Sequence, residues 1–208
     1  MKALVPRTHN NVIKLTCVTC IFAIMKVSKP KYSFWLSIHH TDVKIIDRMY
    51  ALRGYVACLP WARAISFIGD GWLYLLIALL SFISHGPDHP YFWMLFLGFL
   101  FERPSYYLIK NTLKRQRPFQ LLKRPVYLQP SDEFSLPSGH TSAAFLFAVI
   151  SATFVPQYLI VMMLMAALIG LSRVALGVHF LSDVFLGAIL GISYALIAVH
   201  LVTNFFQL

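Results

Sequence analysis

The sequence predicts an all-α protein: a multi-spanning transmembrane helical bundle of about five to six spans, with an N-terminal amphipathic interfacial helix. Three observations predict it. Hydrophobic residues make up 58% of the 208 and charged residues only 12%, giving a mean hydropathy of +0.67, well beyond the roughly half-apolar make-up of an ordinary soluble domain. Uncharged runs approach the ~20 residues needed to cross a bilayer; in Val184 to Val202, His200 is the only His, Asp, Glu, Lys or Arg. Between Asp42 and Arg63, apolar residues recur at helical spacing beside a charged face.

In chain order, Leu15 to Met25 is a short apolar run behind Lys2, Arg7 and Lys14. It fits a signal-peptide h-region, a short transmembrane helix or a buried helix; no small-residue cleavage site follows, which favours an uncleaved anchor. Cys17 and Cys20 form a C-x-x-C inside this run without thioredoxin-like surroundings, and with Cys58 the cysteine count is odd, so a chance pair on one helix face is the simpler reading. From Asp42 to Arg63, Ile45, Ile46, Met49, Leu52 and Val56 share one face and Lys44, Asp47, Arg48 and Arg53 fill the other. This pattern predicts a helix lying at the head-group level.

The first span of the bundle is expected over Ile65 to Ser84, with Asp70 between Gly69 and Gly71 at an interface. His85 to Pro90 follows as a polar turn, whose two histidines and one aspartate fall short of a zinc ligand set. Tyr91 to Ile109 is the next span, interrupted by Glu102, Arg103 and Pro104; residues so costly in lipid face a bundle interior or each other, here as an internal network or in orienting a site. Lys110 to Gly139 is a long polar segment of the length associated with function. Further spans are read at His140 to Val155, Tyr158 to about Val178, and His179 to Val202.

The net charge of +10, from 18 Lys and Arg against 8 Asp and Glu, favours anionic partners. In a membrane setting these are phosphate head groups rather than nucleic acid. Three polar clusters fall at helix ends on one side of the membrane if each span crosses once. In Lys110-x6-Arg117-Pro118 the spacing is nearly two helical turns, which puts Lys110 and Arg117 on one face, with Pro118 ending the helix. Pro137-Ser138-Gly139-His140 stands directly before an apolar helix, whose N-terminal N–H groups and dipole, with the Ser138 hydroxyl and close approach at Gly139, make an anion cradle. Read alone, Ser138 is an N-cap and His140 a polar interface residue; the other clusters change that reading. In Ser172-Arg173-x5-His179-x3-Asp183 the last two residues share a helix face, so Asp183 can accept from one ring nitrogen of His179 and leave the other free to attack. Together these supply cations, positioned donors and two histidines, the parts phosphoryl transfer requires. There is no carboxylate cluster for Mg²⁺, so no metal or other cofactor is expected and the cations take the metal's place.

The three ordered motifs, Lys110-x6-Arg117-Pro118, Pro137-Ser138-Gly139-His140 and Ser172-Arg173-x5-His179-x3-Asp183, resemble those of the type 2 phosphatidic acid phosphatase superfamily. The resemblance covers roughly Ile65 to Val202; the first 60 or so residues carry no signature of it. It implies a helical bundle shared with vanadium haloperoxidases and a metal-independent membrane lipid phosphatase. Residues 1–64 are then an anchor and interfacial helix, and residues 65–203 the phosphatase domain. By motif position, the resemblance implies that His179 attacks phosphorus to form a phosphohistidine. Asp183 orients its ring, and His140 protonates the leaving oxygen. Lys110, Arg117, Ser138, Gly139 and Arg173 bind phosphate.

The substrates implied are undecaprenyl diphosphate, phosphatidylglycerophosphate or phosphatidic acid, without selection among them. A lipid phosphotransferase differs only in the acceptor of the phosphoryl group. A non-catalytic lipid-phosphate binding or transport protein needs cations but no nucleophile, and a vanadate-dependent haloperoxidase is typically soluble. The resemblance implies a multi-pass cell (inner) membrane protein with the catalytic face periplasmic or extracellular. The positive-inside rule, applied to Lys26, Lys29, Lys31, Lys44, Arg48 and Arg53, points the other way.

Overall fold

The computed structural model describes residues 29–207, so the expected anchor at Leu15 to Met25, with Cys17 and Cys20, lies outside the described residues. The chain divides after His39 into two units, and apart from the start of the first helix everything discussed below belongs to the second, His40–Leu208. The described residues are helical: α1 Lys29–Ala51, α2 Tyr55–Ile68, α3 Trp72–His85, α4 Pro90–Leu113, α5 Pro118–Leu121, α6 Gly139–Phe154, α7 Leu159–Ala175 behind a 3₁₀ turn at Pro156–Tyr158, and α8 Leu181–Phe206.

Three stretches among them are long and apolar enough to cross a membrane, Tyr55–His85, Pro156–Ala175 and Leu181–Phe206, and Gly139–Phe154 is a shorter apolar helix. Large apolar side chains on these helices point outward, among them Leu75, Ile83, Ile160, Phe185, Leu196 and Phe205. A bilayer accommodates such a surface, since the helices satisfy their own backbone groups. The structure is thus a transmembrane helical bundle.

Helix α6 lies at the centre. Its Leu146 and Ile150 are fully buried against Leu95 of α4 and Ala195, Ala198 and Val202 of α8, while Ala143 and Ala148 pack with Tyr74 of α3 and Ala166 and Ile169 of α7. In lipid, helices gain little from burying apolar surface and associate through close packing of small residues. Gly191 shows the closeness: a Cβ there would run into the backbone carbonyl of Ser142. The row Gly187, Gly191, Ala195 and Ala198 on α8 therefore brings α6 and α8 together at backbone distance.

Several expected boundaries move. The helix expected from Asp42 to Arg63 is broken after Ala51, where Gly54 takes a left-handed conformation with φ 86°, a region open to glycine at no steric cost. Its apolar face also divides: Ile46 is fully buried against Val174, Phe180 and Val184, whereas Leu52 and Val56 stay exposed. Helix α2 runs without interruption through positions 64 and 65.

The span expected over Ile65 to Ser84 is two helices meeting at Gly69–Gly71, with Gly71 at φ 89°. Helix α4 begins with His89 as N-cap, its ring nitrogen accepting from the Tyr91 N–H, and Pro90 in the first turn. It continues past Ile109 and ends at Leu113, with Lys114 left-handed at φ 47°. Helix α8 starts at Leu181 rather than His179, with Phe180 as N-cap.

Candidate active site

Gly69, Asp70, Gly71, Arg103, Tyr106, Asp132, Gly139, His140, Arg117, Arg173 and His179 are among the residues that wall a cavity of about 190 Å³. Each arrives by a local route. Arg173 sits in the last turn of α7 and is 4% exposed. Its Nη1 donates to Ser66 Oγ at 2.6 Å, while its buried Nε has no hydrogen-bond partner among the described residues. Arg117 does not share a helix face with Lys110, as the spacing predicted. The chain leaves α4 at Lys114, Arg117 is extended (φ −78°, ψ 153°), and Pro118 opens the short helix α5 instead of ending one. Its Nη1 donates to the Val178 carbonyl at 2.7 Å and lies 3.5 Å from His179 Nε2.

His179 precedes α8, so its relation to Asp183 comes from capping and not from a shared face. Asp183 is the N3 residue, and its Oδ2 accepts from the Phe180 N–H at 2.8 Å. The same oxygen lies 3.7 Å from His179 Nδ1. That separation is longer than a hydrogen bond, and Nδ1 has no hydrogen-bond partner among the described residues. Catalytic hydrogen bonds are often long before substrate binds. His179 lies in the turn between two membrane-crossing stretches, where burial holds its imidazole well below the usual range, at about 3, with Arg117 adding to the effect and Asp183 opposing it.

His140, in the first turn of α6, places its Nε2 at 2.7 Å from Asp70 Oδ1. Gly139 forms part of the wall for a spatial reason: a Cβ there would lie 2.9 Å from the Tyr106 ring. Ser138 is fully buried and is the N-cap of α6; its hydroxyl accepts from Thr141 Oγ1 at 2.8 Å and its N–H donates to the Asp183 carbonyl at 3.0 Å. The cavity wall is formed by its neighbours Gly139 and His140 rather than by Ser138. Lys110 is likewise set back. Its Nζ reaches Asp132 Oδ2 at 2.6 Å and the Tyr106 hydroxyl.

Asp132 is the acid that binds the cations together, pairing with both Lys110 and Arg117 and accepting from the Tyr106 hydroxyl at 2.5 Å. Burial raises its carboxyl, but the Lys110 and Tyr106 hydrogen bonds and the Lys110 and Arg117 charges outweigh this and bring it down to about 2. Glu102, fully buried, pairs with Arg103 and accepts from Ser142 Oγ at 2.5 Å. Arg103 in turn donates to the Gly139 carbonyl at 3.3 Å and enters the wall. Asp70, Tyr106, Arg103 and Asp132 are among the wall residues that motif spacing did not reveal; an acid between two glycines in an apolar run, needing a polar partner, is the signal that could have marked Asp70 without naming its partner.

Beside this cavity lies an apolar groove of about 630 Å³ between α3 and α4, lined by Tyr74, Leu75, Leu95, Phe96 and Phe99 among others. Gly71, Arg103 and Ala143 line both.

An acid phosphatase of Zymomonas mobilis is 32% identical over 83 residues, 38% of this chain, and the match spans only 31% of that relative's length. The crystal structure of Aquifex aeolicus LpxE superposes with a TM-score of 0.65 at 25% identity, covering 76% of this chain and 93% of that one. The transmembrane PAP2 type phosphatidylglycerolphosphate phosphatase of Bacillus subtilis shares the fold, with a TM-score of 0.63 at 21% identity over 91% of this chain and 94% of its own. The PAP2 superfamily profile matches residues 89–207, more than half of the sequence and inclusive of all three motifs: the chain belongs to the PAP2 superfamily.

Proposed function

We propose that this protein is an integral-membrane lipid phosphatase that removes phosphate from a phosphomonoester or diphosphate on a lipid through a phosphohistidine on His179. The observation that carries the reading is the shared wall. A cationic cavity holding two histidines shares Gly71, Arg103 and Ala143 with a groove lined by aromatic and aliphatic side chains. A phosphate head in the first and an apolar tail in the second describe a lipid phosphate.

In the proposed reaction, the neutral imidazole of His179 attacks phosphorus through Nε2. An N–P bond forms as the bond to the lipid oxygen breaks, and His140, exchanging Asp70 for the leaving oxygen, gives it a proton. Water then attacks the phosphohistidine, with His140 taking the water's proton, and orthophosphate leaves. Arg117 and Arg173 neutralise the equatorial oxygens, and the buried Nε of Arg173 is a donor in want of an acceptor. Among the described residues no group of His, Cys, Asp and Glu is placed to hold a metal ion, and the reading assigns charge neutralisation to these cations. Lys110 acts from behind, through Asp132. Phosphate therefore competes with a carboxylate for Arg117. The protein is assigned to the cell membrane with the cavity facing outward, which labelling of a cysteine placed in the loop between α5 and α6 checks.

The test is phosphate release by the purified full-length chain from a panel of lipid phosphates and diphosphates with a chelator present. His179→Ala abolishes release; turnover retained by that variant removes the nucleophile assignment. A preference for soluble phosphate esters over lipid ones discards the role of the groove.

A further inference from the structure

At the start of α8, three charged side chains from distant parts of the chain are stacked behind His179. Asp42 of α1 is 3% exposed and lies before residue 89, where the family match begins. Its Oδ2 accepts from Arg115 Nη2 at 2.7 Å and from Ser182 Oγ at 2.5 Å, and its Oδ1 accepts from the Ser182 N–H at 3.1 Å. Arg115 Nη1 then donates to Asp183 Oδ1 at 2.6 Å and to Ser182 Oγ at 2.6 Å, with the guanidinium 4.2 Å from the centre of the Phe180 ring. Asp183 is thus held at both oxygens, Oδ1 by Arg115 and Oδ2 by the Phe180 N–H. Only then does Oδ2 face His179 Nδ1.

We infer that Asp42 and Arg115 are positioning residues for the reaction proposed above, fixing the carboxylate of Asp183 behind the nucleophilic imidazole and setting the charge that imidazole meets. Geometry supplies the first half. A carboxylate clamped at both oxygens cannot turn about its own axis, so its distance to Nδ1 is set by the clamp. Charge supplies the second. Phosphorylation leaves positive charge on the ring of His179, which Asp183 must meet with a negative one. Arg115 by itself would cancel Asp183; Asp42 cancels Arg115, and the three together carry one net negative charge. The side chains of Asp42 and Asp183 are only 4% and 0% exposed, so solvent screens little of this.

The inference depends on His179 being the nucleophile, and the experiment separates the two. The full-length protein, labelled with ¹⁵N in histidine, is studied in detergent, with the His179 ring signals assigned by their loss in His179→Gln. Asp42→Asn, which keeps the shape and one accepting oxygen for the Ser182 N–H, shifts the His179 ring signals while those of His140 stay in place. Kinetically it lowers kcat about tenfold, the scale seen for outer-shell partners of a reacting group. KM and the competition constant of inorganic phosphate stay within about twofold, because neither residue walls the cavity. Asp42→Glu recovers most of the loss, and Arg115→Lys recovers part of the loss seen in Arg115→Met.

Unmoved His179 signals in Asp42→Asn overturn the inference, with or without measurable turnover. So does a parallel change in kcat, KM and phosphate competition, which would mark a mere anchor between α1 and α8. Should Asp42→Asn fail to fold, Asp42→Glu and Arg115→Lys decide it by the same signals. Loss of turnover in the unaltered protein, by contrast, removes the proposed function and leaves the nitrogen signals to decide the clamp.

Discussion

Replacing Arg173 tests the electrostatic half of the proposed mechanism most directly. Arg173 is 4% exposed, bound at Nη1 to Ser66 and, among the described residues, unpaired at Nε. Arg173→Ala removes a preorganised donor from a buried position in the cavity wall, a loss that costs about 2.7–4 kcal/mol at the transition state, or ~10²–10³ in kcat. Part of any loss comes from Ser66, whose hydroxyl is left without its charged donor. Ser66→Ala approaches the contact from the other side, taking the acceptor from Arg173 Nη1 but leaving the guanidinium in place, and a decrease of about tenfold is expected, the low end of the roughly 1.5–3 kcal/mol that a hydrogen bond to a charged group is worth. Arg173→Lys keeps the charge without the fork and falls between the two. The assay is steady-state phosphate release from a lipid phosphate in detergent, with chelator. A kcat for Arg173→Ala within threefold of the unaltered protein, by the reasoning of a lost donor, refutes Arg173 as a transition-state ligand.

Other expectations follow from single contacts. Asp132→Asn frees Lys110 and Arg117 of a competing charge, so inorganic phosphate competes about two- to fivefold more strongly, the scale of a partly exposed ion pair; unchanged or weaker competition contradicts this. Gly191→Ala sets a methyl against the Ser142 carbonyl and lowers stability by about 1–3 kcal/mol, read as an earlier thermal transition in detergent, whereas no loss shows that α6 and α8 can separate freely. Acid weakens the fold for two reasons of the same sign. With His179 held near 3 when folded against about 6.5 unfolded, stability falls as pH drops from about 6.5 towards 3. With Asp132 held near 2 against about 3.9 unfolded, its contribution is whole above about pH 4 and goes as pH falls through 2. Unfolding midpoints followed from pH 7 to 3 check the slope, and a midpoint that rises on acidification contradicts it.

The apolar runs made the bundle legible, and the motif residues Arg117, Gly139, His140, Arg173 and His179 do reach one cavity. What periodicity misplaced is instructive. The spacing of Lys110 and Arg117 suits a helix, yet Lys114 ends α4 in a left-handed turn and Arg117 reaches the cavity from an extended strand of loop. His179 and Asp183 are four apart, but the link between them is a helix cap. Asp70, Asp132 and Asp42 were hidden for a simpler reason. Their partners His140, Lys110 and Arg115 lie far along the chain, and no local pattern reports a contact of that range. A charge in an apolar run announces that it has a partner but does not say which.

The groove and the cavity share Gly71, Arg103 and Ala143, and under the proposed function this shared wall has an evolutionary consequence. Leu75, Phe96 and Phe99 can be exchanged to admit a longer, branched or bulkier hydrocarbon without touching any group that handles phosphorus. Relatives built on this plan are therefore free to drift from one lipid to another while their chemistry stands still, and the residues at the junction are where such drift would have to stop.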